Sequence, residues 1–289
     1  MIEEFDFQPV VIIGAARSGT NMLRDCLTAI EGVATWPCDE INYIWRHGNR
    51  DHPTDEFPSE LVSPYVRRYI RNKFAKLSKR YSAKHVVEKT CANSLRVGFV
   101  DEVLPEAKCI FLVRDGRDVV ASALKRWKAS LELGYILKKA RFVPFRDVPY
   151  YSINFITNRI YKIFSQEKRL SSWGPIFFGM SEMLQYCELP EICAIQWQRC
   201  VERSSIQLNK INNKQVLYLS YEEFVSNPDK LMHNILDFLD IKTNKYEINN
   251  AIKNVSGSSI GTWKDRLSER EIEVVTSIIK STLNYYGYL

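Results

Sequence analysis

The sequence lacks the features of membrane-spanning, secreted and fibrous proteins. Its 289 residues contain no apolar run near the roughly 18–20 residues that a membrane-spanning helix needs. Its seven cysteines form no C-x-x-C pair, and their odd number argues against a secreted disulfide framework. Only 12 glycines and 11 prolines are present, which excludes a collagen-like or low-complexity chain. The acidic N-terminal segment leads directly into a strand-like run, so we expect no signal peptide and a cytoplasmic location.

Charge and histidine content narrow the range of partners further. The formal net charge of +6 is a mild basic excess, weaker than that of a dedicated nucleic-acid binder, so no nucleic-acid partner is predicted. A modest positive field does favour small polyanionic ligands. The four histidines and seven cysteines show no metal-ligand spacing, and we predict no metal site.

Four short apolar, β-branched runs predict strands that are covered on both faces of a parallel sheet. These runs are Val10–Ile13, His85–Lys89, Cys109–Val113 and Gln215–Leu219. Helical periodicity follows the first, third and fourth runs, and a capping box at Ser268 and Glu271 predicts a last helix. The alternation predicts an α/β fold, a P-loop-like doubly wound parallel sheet flanked by helices, in a single domain over residues 1–289.

One segment, residues 128–195, combines basic, aromatic and proline residues. We interpret it as a long helical or loop insertion over the carboxyl edge of the sheet, where ligands bind in such folds. The alternative is a structural cap without a ligand role.

The segment from Gly14 to Asn21 leaves the first strand, enters a helix and carries two glycines five residues apart. Backbone N–H groups of such a turn, with a helix N-terminus behind them, form a cradle for a phosphate. The lysine of the G-x-x-x-x-G-K-[ST] pattern is replaced by Thr20, which argues against Mg²⁺-dependent nucleotide hydrolysis. Arg17 supplies a cation within the loop instead. The candidate anion-binding residues are Ala16, Arg17, Ser18, Gly19, Thr20 and Asn21.

A second candidate phosphate site follows the third predicted strand. Arg114 ends that strand and Ser122 lies eight residues later in the next helix. A guanidinium fork and a hydroxyl in these positions can converge on one phosphate. The alternative for the intervening Arg117 and Asp118 is a simple surface pair. Together the two sites predict a nucleotide that bears phosphates at two separate places.

These motifs resemble those of the sulfotransferases that use 3′-phosphoadenosine 5′-phosphosulfate (PAPS). RSGT at 17–20 resembles the family's 5′-phosphosulfate loop, and RDGRDVVAS at 114–122 its 3′-phosphate motif. Residues 217–239 resemble its late strand–helix unit, and SSIGTWK at 258–264 resembles its C-terminal loop. The resemblance implies PAPS as the donor, the bisphosphate PAP as the product, and no metal. It adds Tyr221, Gly261, Thr262, Trp263 and Lys264 to the candidate cofactor-binding residues.

The sequence departs from the family pattern just before the C-terminal loop. Cytosolic members carry Arg-Lys-Gly there to hold the 3′-phosphate, whereas residues 256–258 are Ser-Gly-Ser here. Lys264 or Arg266 are the candidate replacements for that contact.

Two carboxylates are candidates for the general base that removes the acceptor's proton. Glu88, in VVEKT at 86–90, resembles the base of heparan-type sulfotransferases and is the first candidate. Glu40 follows the phosphate loop as the base glutamate does in tyrosylprotein sulfotransferases. For either glutamate, the alternative to a catalytic role is a structural ion pair with a neighbouring basic residue. Arg17 and Lys89 are predicted to assist catalysis at the leaving group.

The acceptor is predicted from the middle segment, where W-G-P at 173–175 resembles bacterial members that act on surface polysaccharides. We therefore expect a carbohydrate hydroxyl as acceptor, with a tyrosine or other phenol as the alternative. A nucleotide kinase or GTP-type switch is a weaker hypothesis because the loop lysine is missing. A non-catalytic nucleotide-binding protein that docks on an anionic membrane through residues 138–146 is the remaining hypothesis. The oligomeric state is not predictable from the sequence.

Overall fold

The computed structural model describes residues 5–127, 147 and 173–289. Five strands form one parallel sheet in the order β2-β3-β1-β4-β5. The strands are β1 (Gln8–Ile13), β2 (Val33–Ala34), β3 (His85–Glu88), β4 (Lys108–Val113) and β5 (Val216–Ser220). All four predicted strands are confirmed. The two-residue strand β2 was not predicted, because so short a strand carries no periodic signal.

Helices cover both faces of this sheet, which confirms the predicted α/β class. Twelve α-helices lie in the described part of the chain, and the first six are α1 (Thr20–Thr28), α2 (Asn42–Trp45), α3 (Pro64–Tyr81), α4 (Val97–Val103), α5 (Gly116–Trp127) and α6 (Met180–Tyr186). The other six are α7 (Leu189–Leu208), α8 (Tyr221–Ser226), α9 (Pro228–Leu239), α10 (Lys245–Ile252), α11 (Trp263–Arg266) and α12 (Glu269–Tyr285). The predicted capping box is present at α12, where Ser268 and Glu271 bond reciprocally.

The apolar residues of the strands alternate between two hydrophobic clusters. Val10 and Ile12 of β1 pack on the α1, α9 and α10 face of the sheet. Val11 and Ile13 belong to the larger cluster on the opposite face, to which α3, α4, α5, α7 and α12 contribute. Burial on both faces explains why these strands read as continuous apolar runs rather than as alternating ones.

The predicted insertion over residues 128–195 is only partly within the described chain. Residues 128–146 and 148–172 lie outside the described residues. The end of the prediction is wrong, because residues 189–195 begin α7, a helix of the larger core cluster. Trp197 in the middle of α7 is 1% exposed and belongs to the same core cluster.

The topology fixes where a ligand site is expected. After β1 the chain first forms β2 and β3, which lie on one side of β1 in the sheet. It then forms β4 and β5 on the other side, so the strand order reverses at β1. Ligands of open α/β sheets bind at the carboxyl edge beside such a point. The loop between β1 and α1 lies there. Within the described residues, no helix combines the length and apolar character needed to cross a membrane.

Candidate active site

The loop between β1 and α1 is shaped by two glycines that tolerate no side chain. Gly19 precedes α1 with φ +88°, and a Cβ there would lie 2.4 Å from Cδ2 of Tyr221. A Cβ on Gly14 would lie 2.8 Å from the carbonyl oxygen of Leu112. Arg17 also adopts a left-handed conformation, with φ 74°. Such backbone is uncommon for a residue with a side chain, and it persists where the surroundings favour it, often at ligand sites.

The structure brings the two predicted phosphate sites together. Arg17 Nε donates to Ser122 Oγ across 2.9 Å, so the loop contacts α5 directly. Arg114 Nη1 donates to the carbonyl oxygen of Arg17 across 3.1 Å. Two guanidinium groups and a hydroxyl from three chain segments therefore line one region at the carboxyl edge of the sheet.

Arg114 is held in place by an aromatic ring and by the C-terminal loop. Its Cζ lies 4.4 Å from the ring centroid of Tyr221, a cation–π contact. Its Nη2 donates to the carbonyl oxygen of Ser259, whose hydroxyl lies 2.7 Å from the Tyr221 hydroxyl. Tyr221, predicted only from the family resemblance, thus contacts both the phosphate loop and Arg114.

Three buried side-chain polar atoms in this region have no hydrogen-bond partner among the described residues. One is an acceptor, Oδ1 of Asn21, and two are donors, Oγ of Ser18 in the loop and Nε of Arg114. Buried donors are normally satisfied, and here both lie beside loop amides and guanidinium groups that favour an anion. The region therefore fits the phosphate groups of a nucleotide.

The electrostatics of Arg17 agree with an anion site. Burial, together with the positive charges of Arg126 and Arg114, lowers the pKa of Arg17. Among the described residues no carboxylate forms an ion pair with Arg17. An anion bound in the loop would relieve this accumulation of positive charge.

The second group of predicted residues lies where β3 ends. Lys89 Nζ donates to Glu40 Oε1 across 3.1 Å, and the backbone N–H of Cys91 donates to the same oxygen across 3.4 Å. Burial alone would lower the pKa of Lys89, but the neighbouring acidic groups, Cys91 and Glu40 among them, raise it above its ordinary value. The Cys91 Sγ lies 3.8 Å from Oγ1 of Thr20, the first residue of α1. Glu40 and Lys89 are therefore close to the phosphate loop.

Asn21, another predicted cofactor-binding residue, contacts a carboxylate. Its Nδ2 donates to Asp39 Oδ1 across 2.9 Å, and Arg24 donates to the same oxygen across 3.1 Å. This contact links α1 to the segment that carries Glu40.

Glu88 has a different environment from Glu40. It is 1% exposed, and its two carboxylate oxygens accept from Thr90 Oγ1 at 2.5 Å and Asn93 Nδ2 at 2.8 Å. Burial raises the pKa of Glu88 to about 7, against the opposing effects of the Thr90 hydrogen bond and of the positive charges of Lys89 and Arg96. Thr90 Oγ1 also accepts from the backbone N–H of Ile41, the residue after Glu40. Glu88 thus supports the loop on which Glu40 is carried.

Arg117 and Asp118 do not form the surface pair that was the alternative for this segment. Arg117 pairs with Asp115 at 2.7 Å, and its backbone N–H donates to the same carboxylate at the start of α5. Asp118 is 1% exposed and lies one turn further along. Adjacent side chains of a helix point about 100° apart, so Asp118 faces the C-terminal loop while Arg117 contacts Asp115.

Asp118 was missed as a functional residue although its contacts are extensive. Its carboxylate accepts from the Gly261 N–H at 2.7 Å, the Trp263 N–H at 3.0 Å and the Thr262 hydroxyl at 3.1 Å. The predicted C-terminal loop is therefore attached to α5. Lys264 is exposed, with Nζ 5.6 Å from the ring centroid of Trp263. The spacing of Asp118 four residues from both Arg114 and Ser122 was the available sequence signal.

No set of three His, Cys, Asp or Glu side chains that could hold a metal ion occurs in the described part of the chain. His47 is buried between two partners, with Nδ1 2.6 Å from Asp147 Oδ2 and Nε2 2.7 Å from the Tyr65 hydroxyl. His47 is therefore a packed side chain.

Comparison with solved structures places the fold among the sulfotransferases. A sulfotransferase domain from the curacin biosynthetic pathway superposes with a TM-score of 0.55 and 11% identity, covering 96% of this chain and 99% of that one. Sulfotransferase STF9 from Mycobacterium avium gives a TM-score of 0.54 and 12% identity, covering 98% and 77%. Mouse sulfotransferase SULT7A1, complexed with PAP, gives 0.50 and 13%, covering 98% and 86%. At such identities the likeness establishes the fold alone.

The sequence establishes the family directly. The sulfotransferase domain family matches residues 7–260, nearly the whole chain. A comparison with curated proteins gave no match. The chain belongs to the sulfotransferase family, which confirms the predicted family and the predicted class of enzyme. The narrower prediction of a bacterial, carbohydrate-type member stays a prediction.

Proposed function

We propose that this protein transfers the sulfuryl group of PAPS to a hydroxyl group of an acceptor, on a carbohydrate such as a surface polysaccharide. The observation that carries the donor assignment is the direct contact between the phosphate loop and the second candidate phosphate site, Arg114 and Ser122. Arg17 of the phosphate loop donates to Ser122 on α5, and Arg114 donates to the carbonyl oxygen of Arg17. A nucleotide with a 5′-phosphosulfate and a separate 3′-phosphate matches this arrangement.

The residues of the two groups have separate tasks in this proposal. The amides of the loop, the Ser18 hydroxyl and Arg17 bind the 5′-phosphate, while Arg114 and Ser122 bind the 3′-phosphate. Bound PAPS supplies an activated sulfuryl group whose leaving group is a phosphate. Fixed positive charge beside that phosphate stabilises the charge that develops on it as the sulfuryl group leaves.

Glu40 is the general base that the geometry favours. Its carboxylate is 27% exposed, so an acceptor hydroxyl can reach it, and Lys89 and the Cys91 amide orient the oxygen Oε1. A base needs hydrogen-bond reach to the proton that it removes. Glu88, the first candidate from the sequence, is enclosed and uses both oxygens for Thr90 and Asn93.

Lys89 acts beside the base as a fixed cation. Its raised pKa keeps the ammonium charged over the physiological pH range, and its side chain is 2% exposed. A buried positive charge at this position orients Glu40 and adds to the field that favours the departing phosphate.

A tyrosine or other phenol is the second candidate acceptor. The observation in its favour is the Glu40–Lys89 pair, because the resemblance of Glu40 is to the base of tyrosylprotein sulfotransferases. Most of the segment expected to contact the acceptor, residues 128–146 and 148–172, lies outside the described residues.

An acceptor panel with sulfur-labelled PAPS tests the proposal. The panel pairs acidic and neutral polysaccharides with a tyrosine peptide and a small phenol, and the Glu40→Gln variant measures background PAPS hydrolysis. Label transferred to a polysaccharide supports the carbohydrate assignment, whereas label on the peptide or the phenol replaces it with the second candidate. PAPS that is neither bound nor consumed by the wild-type protein would overturn the donor assignment.

A further inference from the structure

We infer that Asp118 is a positioning residue that fastens the C-terminal loop, residues 259–263, to α5 and so sets how long the nucleotide stays bound. The inference rests on the proposed nucleotide site. Neither the predicted site residues nor the resemblance on which they rest assigned a role to this carboxylate.

The contacts of Asp118 are concentrated on one short segment. Three consecutive residues, Gly261, Thr262 and Trp263, donate to its two oxygens at 2.7–3.1 Å. A carboxylate that is 1% exposed needs such donors, because burying an unpaired charge is strongly unfavourable. Hydrogen bonds to a charged acceptor are about twice as strong as neutral ones. The carboxylate therefore holds the loop more firmly than ordinary packing does.

The position of Asp118 links the loop to both phosphate-binding groups. Arg114, Asp118 and Ser122 follow one another at intervals of four residues, which places them along one side of α5 and of the turn before it. Arg114 also contacts the loop, through the Ser259 carbonyl oxygen. Movement of the loop away from α5 therefore breaks contacts on the same side that is proposed to bind the 3′-phosphate.

Asp118 itself is not suited to touch the nucleotide. Its carboxylate is negative, as the phosphates are, and its oxygens are already occupied by the loop donors, with Oδ2 also 3.7 Å from Arg114 Nη2. We therefore assign its effect on binding to the loop rather than to its charge beside Arg114. Electrostatics alone makes the opposite prediction, since removing a negative charge beside an anion site strengthens binding.

Loss of the loop contact should weaken PAP binding, whereas loss of the negative charge alone should strengthen it, so a variant of Asp118 distinguishes the two effects. Stopped-flow displacement of PAP measures the dissociation rate for wild type and for Asp118→Asn, with Asp265→Asn on exposed α11 as the matched control for loss of one negative charge. We expect PAP to dissociate about tenfold faster or more from Asp118→Asn, the factor that corresponds to the loss of about one charge-assisted hydrogen bond. The control should change the rate less than twofold. An unchanged or slower dissociation from Asp118→Asn would overturn the inference.

Thr262→Val provides a second variant that leaves the Asp118 carboxylate in place. It removes one of the three donors, so PAP should dissociate faster than from wild type but more slowly than from Asp118→Asn. In the double variant the Thr262→Val effect should largely disappear, because both changes act on one contact. Fully additive effects would contradict a shared contact.

Hydrogen exchange of the backbone amides of Gly261 and Trp263 without nucleotide separates this inference from the proposed function. We expect both amides to exchange faster in Asp118→Asn than in wild type. Thermal melting serves as the control and should show equal global stability of the two proteins. If wild type fails to bind PAP, the donor assignment fails while the exchange result still decides whether Asp118 fastens the loop. Equal exchange in the two proteins would show that it does not.

Discussion

Lys89 donates a hydrogen bond to Glu40 across 3.1 Å, although 49 residues separate them in the chain. The pair joins the end of β3 to the segment after β2, beside the first turn of α1. The Glu40 carboxylate is partly exposed and the Lys89 side chain is buried, so an acceptor can approach the carboxylate beside a fixed positive charge. This arrangement suits a base that must accept a proton next to an anionic donor.

Replacement of Glu40 by glutamine should abolish most turnover. Glutamine preserves the shape of the side chain but cannot accept the proton, and we expect kcat to fall about 100-fold or more. PAP affinity should stay within about twofold, because Glu40 does not bind the nucleotide in our account. Initial rates with labelled PAPS and calorimetric titration of PAP check the two expectations.

Glu88→Gln is the matched comparison, since it makes the same chemical change in the other candidate base. We expect a smaller loss of kcat than with Glu40→Gln, arising from the Thr90 contact that supports Ile41. A variant Glu88→Gln that loses turnover while Glu40→Gln keeps it would reverse the assignment of the base.

The stability of the protein should depend on pH through Glu88. Burial raises its pKa in the folded state to about 7, from an ordinary value of 4.5, so the folded protein binds the proton more tightly than the unfolded chain. Its contribution to stability is present below pH 4.5 and is lost as the pH rises through 7. At about 1.4 kcal/mol per pKa unit, the change is about 3 kcal/mol.

Urea denaturation of wild type and Glu88→Gln between pH 5 and pH 8 isolates this effect. The free energy of unfolding of wild type should fall relative to that of the variant as the pH rises. A constant difference across the range would mean that Glu88 titrates near its ordinary value.

Arg114→Ala should weaken binding of PAP much more than binding of ADP. Both ligands occupy the phosphate loop, but only PAP carries the 3′-phosphate that Arg114 is proposed to bind. Loss of a charge-assisted pair corresponds to a decrease in affinity of about tenfold or more. Lys125→Ala removes one positive charge from the exposed side of α5 and serves as the control. Equal weakening for PAP and ADP would indicate that Arg114 acts only through the loop structure.

Gly19→Ala should damage the phosphate loop. The new Cβ would lie 2.4 Å from the Tyr221 ring, and the φ of +88° is unfavourable for alanine. We expect a loss of about 1–3 kcal/mol in stability and a clear loss of PAP affinity. Gly179→Ala also replaces a glycine with positive φ, but nothing lies within 4 Å of its Cβ position. The comparison separates backbone strain from the clash with Tyr221.

The sequence was informative where local signals are strong. Buried parallel strands appear as apolar runs, and the loop with Gly14 and Gly19 follows from its spacing and its position after a strand. The proximity of Arg17, Arg114 and Ser122 was predictable because parallel strands bring their carboxyl ends to one edge.

The remaining features depend on contacts between distant segments. The choice between Glu40 and Glu88 rests on which carboxylate is enclosed, and enclosure of Glu88 by Asn93 and Thr90 follows from tertiary packing. Asp118 resembled a surface residue because it adjoins Arg117, whose guanidinium instead binds Asp115. Neither pairing is encoded by spacing alone.

Calorimetric titration of the wild-type protein with PAP and with ADP, each with and without EDTA, shows whether the site binds a nucleotide with two separate phosphates. We expect micromolar or tighter binding of PAP that EDTA does not change, with at least about a tenfold preference over ADP. That preference would arise from the 3′-phosphate contacts of Arg114 and Ser122. Equal affinity for the two nucleotides, or binding that requires a divalent metal, would contradict the two-phosphate site and the sulfuryl-transfer function built on it.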